Sequence, residues 1–388
     1  MASFLLHGIG AAWRRAPAQA RRREGTVTHA GRIDAHVHVW APSGSKRFPY
    51  KAQMHGAKGV EPPVAGSVDL LMAELDCNKA RQREAWAGRS PATSTANRAP
   101  LCPSACGTSA ASRPAPQVEV AVAVQAGVHG FDHSYLVQCA RKHPGRLACV
   151  ALADPRENAD GAAKLAYLVE EEGFCGVRFN PQLWPRGAGI ADEEGRVLFA
   201  LAGELGVPVG FALFDGVARY EADVRALLRH SPATPAVIDH VGFCRPGDEA
   251  ACEALLALAE VSRCVRGLHL SKTVAPQCMQ SMARGRIAAA SLPRHPPSKH
   301  PQVHVKLSGL FRCSERPAPY EDLAPLVRRV FDAFGKERVL FGTDWPWTFD
   351  RGGYDEAWDV LGSAALALSE EEVAWAAEKT ARRLYRIA

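Results

Sequence analysis

Eight short apolar runs alternate with helix-like segments along this 388-residue chain, and few architectures accept that order. The runs are Arg32 to Trp40, Val118 to Val124, Leu147 to Leu152, Phe174 to Phe179, Val207 to Phe214, Pro235 to His240, Val303 to Leu310 and Arg338 to Asp344. Between them apolar residues recur at helical spacing. Ser67 caps one such segment, which carries Val68, Leu70, Leu71, Met72 and Leu75. Others cover Ser134 to His143, Asp160 to Glu172, Asp192 to Leu205, Glu221 to Arg229, Asp248 to about Val261 and Tyr320 to Phe334. Two more close the chain, the last opened by Ser369 with Glu372 in capping-box spacing. This alternation predicts an α/β fold, a (β/α)8 TIM barrel. A doubly wound open sheet is the runner-up, but no glycine-rich phosphate loop follows the first run.

Two stretches break the pattern. Residues 79–116 and 263–301 are low in complexity or lose periodicity and offer no face to a core, which predicts two disordered insertions. Residues 1–30 hold Arg14, Arg15, Arg21, Arg22 and Arg23 against one acid, Glu24. That composition fits a transit peptide for a chloroplast or mitochondrion, or equally a disordered basic leader on a cytoplasmic protein. The barrel domain is then 31–388, and its ordered part comes to about 250 residues, the usual size for this architecture.

The net charge of +6 is concentrated in the leader. Past it the charges are mixed, so no stripe for nucleic acid is expected. No apolar run is long enough to span a bilayer. The eleven cysteines are scattered, as reduced thiols would be, and Cys102 and Cys106 lack a second ligand pair for zinc. The expected partner is a small-molecule substrate, and nothing in the sequence sets the oligomeric state.

Catalytic groups of such barrels lie at the carboxyl ends of the strands. There the chain offers His36 and His38, Arg178, His240 and Asp344. His36 and His38 are two apart, so on one extended strand both face the same way. Asp34, two before His36, shares that face in a regular strand, deeper in, with a structural hydrogen-bonding role. Three imidazoles and a carboxylate meeting at one mouth can hold one divalent cation, or can activate a water without one. Arg178 ends a strand that should be buried, and a buried guanidinium needs a partner: a substrate anion or a structural carboxylate. Lys306 and Arg312 lie at or just past the seventh run, where a surface loop explains them as readily as a site. Tyr50 and Trp184 could line a pocket; loop aromatics more often pack.

Five motifs occur together: His36-x-His38, Phe131-Asp132-His133-Ser134-Tyr135-Leu136, Gly176-Val177-Arg178-Phe179-Asn180, Ile238-Asp239-His240 and Gly342-Thr343-Asp344-Trp345-Pro346. Together they resemble the amidohydrolase-related family, in its branch of sugar-lactone and pyrone dicarboxylate lactonases. The resemblance implies hydrolysis of a cyclic ester on a small carboxylated or polyhydroxylated substrate. It implies His36, His38, His240 and Asp344 as catalytic residues, with Asp344 the base and His36, His38 and Asp344 the ligands of any metal. Arg178, Tyr50 and Arg312 would bind substrate. The fifth run, Val209 to Phe214, lacks the histidine many amidohydrolases carry there, and the fourth offers Arg178 in place of a lysine. One divalent metal, zinc first, and a metal-free site are both open. A metal-dependent decarboxylase of the same superfamily and a non-catalytic metabolite-binding barrel are the alternatives.

Overall fold

The computed structural model describes residues 31–51, 62–76, 118–156, 159–185, 187–260 and 302–388. The leader and both low-complexity insertions lie outside the described residues, as does His55. The eight strands are β1 (Arg32–Val37), β2 (Val118–Val124), β3 (Leu147–Leu152), β4 (Gly176–Phe179), β5 (Val209–Phe211), β6 (Ala236–Ile238), β7 (Val303–Ser308) and β8 (Val339–Gly342). They form one sheet in sequence order, with every neighbouring pair parallel. A helix follows each: α1 (68–76), then α2 (Ser134–Lys142), α3 (Gly161–Glu170), α4 (Glu193–Glu204), α5 (Val217–His230), α6 (Glu249–Ala257), α7 (Ala324–Phe334) and α8 (Gly353–Leu361). The (β/α)8 barrel expected from the alternation is the observed fold.

The sheet closes on itself between β1 and β8. Val37 bridges Trp345 in parallel. Asp344 N donates to His36 O at 2.8 Å, and His38 N to Trp345 O at 2.7 Å. The Asp34 carboxylate adds three bonds across or along this seam. It accepts from Thr343 N at 2.9 Å, Thr343 Oγ1 at 2.6 Å and His36 N at 3.2 Å. Gly342 permits the approach, since a Cβ there would stand 2.6 Å from His36 N.

The pairing of β1 with β2 carries an irregularity that matters for function. Asp34 stands opposite Ala121 and Val37 opposite Ala123, so three steps on β1 match two on β2. Such a bulge adds one residue and reverses the facing of everything after it. Ile33 and Ala35 join the inner cluster with Val122, Val237 and Leu340, while Val37 joins the outer one under the helices. Asp34 therefore does not share the His36 face, as a regular strand would require. It is turned to the seam, and its structural role is the one expected.

The main core is the layer between strands and helices. Phe179, Phe199 and Phe211 meet there, with ring centroids 5.7 to 6.4 Å apart. Truncating a ring such as Phe199 would cost roughly 3–5 kcal/mol. α7 shows the register: Leu326, Val327, Val330, Phe331 and Phe334 are its buried residues, one stripe at helical spacing. Pro325 sits in its first turn, where a missing N–H is harmless, and Gly335 ends it at φ 74°. Ser369 and Glu372 form the expected capping box.

Burial also places histidines in structural positions. His133 Nε2 accepts Leu152 N–H at 2.9 Å, and burial lowers its pKa from 6.5 to about 4. Burial, then Arg338 and Arg383, lower that of His304 to about 3. A depressed folded-state pKa contributes stability above the unfolded value and loses it as pH falls. His133 alone should withdraw on the order of 3 kcal/mol between about pH 6.5 and pH 4. Urea midpoints should fall across that window. His133→Gln, whose amide oxygen can still accept from Leu152, should flatten the slope; an unchanged slope would remove His133 from the balance.

Candidate active site

Past the bulge, His36 and His38 face the barrel interior. Their Nε2 atoms are 3.2 Å apart. Asp344, one residue beyond Thr343, brings Oδ1 to 3.8 Å from His36 Nε2 and 3.5 Å from His38 Nε2. The three groups are buried. Ligands held about 2.0–2.2 Å from a tetrahedral ion lie roughly 3.3–3.6 Å from one another. The triangle's edges of 3.2, 3.5 and 3.8 Å bracket that range.

The hydrogen bonds around it leave the right atoms open. Asp344 Oδ2 accepts from Arg312 Nε at 2.6 Å, while Oδ1 is buried with no hydrogen-bond partner. His38 Nδ1 lies 2.9 Å from Val124 O; donating there leaves the lone pair on Nε2. Burial, then Arg178, lower the His38 pKa to about 4. Burial, then Lys306, hold His36 well below the usual imidazole range. Both rings are thus neutral near pH 7, as metal ligands must be. Burial alone would raise the Asp344 pKa, but the Arg312 guanidinium beside it brings it below the usual carboxylate value. One divalent ion fits His36, His38 and Asp344, and two nitrogens with one carboxylate suit zinc.

His240 stands beside this set, its ring centroid 4.7 Å from that of His36. Its Nδ1 is 3.0 Å from both Ser308 O and Ser308 Oγ. The backbone here is strained: His240, Val241 and Gly242 have φ of 51°, 44° and 67° in succession. Non-glycine residues in that region cost of order 1–3 kcal/mol each and gather at functional sites. This turn is why β6 stops at Ile238, short of its expected end at His240.

The interior below the triad is charged. Lys306, on the inward face of β7, is 2% exposed. It lies 3.1 Å from Asp239 Oδ1 and 3.4 Å from His36 Nδ1. The surface-loop reading of Lys306 is therefore wrong, and Asp239 is a site residue that the sequence did not single out. Arg178 is buried as expected, with Nη2 donating to Gln125 O at 3.2 Å and Nε lacking a hydrogen-bond partner. A Cβ on Gly210, the inward residue of β5, would stand 3.9 Å from Arg178 Cγ and from Asp239 Oδ2, at ordinary contact distance.

Two residues expected to contact substrate have protein partners. Arg312 donates through Nε to Asp344, with its guanidinium 5.7 Å from the Trp347 ring. Tyr50 donates to Ala41 O at 2.6 Å and packs edge-on to His129, securing the loop after β1. Trp184 packs on Phe179.

Comparison with known proteins agrees with this geometry. The family model described as Amidohydrolase matches residues 33–271 and 291–387. The chain belongs to the amidohydrolase family. Among curated members it is 28% identical over 234 residues to an L-fucono-1,5-lactonase of Burkholderia ambifaria, covering 59% of this chain and 65% of that protein. It is 25% identical over 233 residues to a 4-sulfomuconolactone hydrolase of Hydrogenophaga intermedia, covering 59% and 61%. The chain thus spans just under two thirds of these relatives' lengths. The solved structure of a putative 2-pyrone-4,6-dicarboxylic acid hydrolase from Pseudomonas putida shares the fold, with TM-score 0.59 and 19% identity, over 92% of this chain and 98% of that one. Among the described residues, no helix of this amidohydrolase is long and apolar enough to cross a membrane.

The Asp34–Thr343 bonds tie the seam to the site. Thr343→Val keeps the shape and leaves a buried carboxylate one donor short. It should lower stability by about 1.5–3 kcal/mol, read from urea unfolding. A loss under 0.5 kcal/mol, on the scale of an ordinary surface substitution, would show that Asp34 does not hold the seam.

Proposed function

We propose that this amidohydrolase opens a cyclic ester of a small carboxylated or polyhydroxylated molecule. The observation that supports this most is the buried, unpartnered Asp344 Oδ1, facing two neutral imidazoles beside a third. A divalent ion held by His36, His38 and Asp344 would supply Lewis acidity to the ester carbonyl and to the attacking water.

The chain's own groups do the rest. Asp344 stays ionised at neutral pH because Arg312 offsets its burial, so it can take a proton from water. The water oxygen then bonds to the carbonyl carbon, the ring C–O bond breaks, and the proton passes to the departing alkoxide. The product is an open-chain hydroxy acid. With Nδ1 donating to Ser308 O, His240 keeps its lone pair on Nε2, the tautomer needed to orient a water by accepting from it. Arg178 is a fixed buried cation whose Nε has no protein acceptor, suited to a carboxylate or a hydroxyl-rich face of the substrate. Its preorganisation is what favours an anionic substrate over a neutral one.

Asp344→Asn should lower kcat by at least two to four orders of magnitude with the far-UV spectrum and melting point retained. Wild-type turnover in that variant would end the assignment of the base. A panel of lactones titrated at constant pH, with and without chelator, tests the reaction class. Acid release on a carboxylated lactone is expected; proton consumption on an aromatic acid would instead indicate decarboxylation. Arg178→Met should raise KM for a carboxylated lactone by tenfold or more and leave a neutral lactone nearly unaffected. Equal effects on both would remove the anion-docking role.

A further inference from the structure

The buried ion pair of Lys306 and Asp239 has no part in the chemistry above, yet both side chains reach His36. Lys306 is 2% exposed and Asp239 1%, deep in a barrel lined here also by Val124, Val150, Arg178 and Tyr385. Two buried charges are expensive, and hydrophobic residues of similar volume in their place are often neutral or stabilising. A pair retained at such a position invites a reason other than stability.

The geometry supplies one. Asp239 Oδ1 lies 3.6 Å from His36 Nδ1, and Lys306 Nζ 3.1 Å from the same oxygen. Neither Asp239 oxygen accepts a hydrogen bond of good geometry, although Lys306 Nζ stands 3.1 Å from Oδ1 as its ion-pair partner. Among the described residues, the ring nitrogen set against Asp239 Oδ1 is His36 Nδ1, and a proton there would meet it. A proton on Nδ1 puts the His36 lone pair on Nε2, the atom that faces His38 and Asp344. Lys306 Nζ is also 3.4 Å from His36 Nδ1 and would favour the opposite tautomer, but its shorter contact is to Asp239. Tyr385, from the end of the chain, closes the other side of Lys306, with its ring centroid 5.7 Å from Nζ.

We propose that Asp239 and Lys306 are positioning residues for the metal triad: Asp239 accepts the Nδ1 proton of His36 so that Nε2 faces the ion, and Lys306 anchors Asp239 beneath the ring. This rests on the His36/His38/Asp344 reading, and it concerns metal affinity before catalysis. Outer partners of ligating histidines typically change metal affinity or activity by about 10–100-fold when removed.

The test uses the full chain and zinc alone, with the dissociation constant read by competition with a chromophoric chelator. In the double variant Lys306→Met/Asp239→Leu both charges of the pair go together, and the buried Arg178 keeps Asp344 as its counter-charge. The variant's melting point is expected at or above that of the wild type, while its zinc dissociation constant rises about 10–100-fold. A folded double variant with wild-type zinc affinity would overturn the proposal, leaving the pair a structural feature. If the double variant does not fold, the histidine nitrogen NMR spectrum of the wild-type full chain takes its place: a neutral His36 with its proton on Nδ1 is expected, and a proton on Nε2 instead would overturn the proposal. Lactone turnover is measured separately. A wild type that binds zinc tightly but opens no lactone would sink the reaction and leave this inference standing, whereas a wild type that takes up no zinc would sink the inference itself.

Discussion

Everything at the mouth of this barrel depends on how β1 meets β8. A parallel barrel is stable only when its last strand pairs with its first, and here that closure is short. The carboxylate of Asp34, bonded to the backbone and hydroxyl of Thr343, holds it. The same few residues carry His36 and His38 on one side and Asp344 on the other. Closing the barrel and assembling the triad are therefore one event. Nothing links these residues but the fold, since Asp34 and Thr343 are 309 positions apart.

The bulge in β1 is the second half of that device. A regular strand would send Asp34 and both histidines to one face, crowding an extra carboxylate against the ligands. The added residue sends Asp34 to the seam and the imidazoles to the interior. The strain after β6 acts similarly, swinging His240 in beside His36. In both cases local irregularity, rather than the regular barrel, sets where a functional ring stands.

Much of this was legible from residues alone. Alternating apolar runs and helical stripes specify a (β/α)8 barrel because each strand needs a covering helix, and strand ends then nominate His36, His38, His240 and Asp344. What could not be read was facing and depth. A bulge has no signature in the six residues of β1, so Asp34 was assigned the wrong face though the right role. Lys306 looks like a surface charge because a lysine in a short strand usually is one. Only the placement of Asp239, just past the end of the neighbouring strand, shows that its burial is compensated. Tyr50 and Arg312, expected to meet substrate, are held by Ala41 O and Asp344 Oδ2, partners that the sequence alone does not pair with them.

The inner polar layer has an energetic logic. Arg178 on β4, Asp239 just past β6 and Lys306 on β7 line one cavity with Gly210 of β5, so that their charges answer one another where water is scarce. Such a layer stiffens the floor on which the imidazoles rest. The most direct examination of the whole is anomalous diffraction at the zinc edge from crystals of the full chain grown with zinc. The expected result is one peak about 2.0–2.2 Å from His36 Nε2, His38 Nε2 and Asp344 Oδ1. A map with no peak at that triangle, or with zinc bound elsewhere in the barrel, would contradict it.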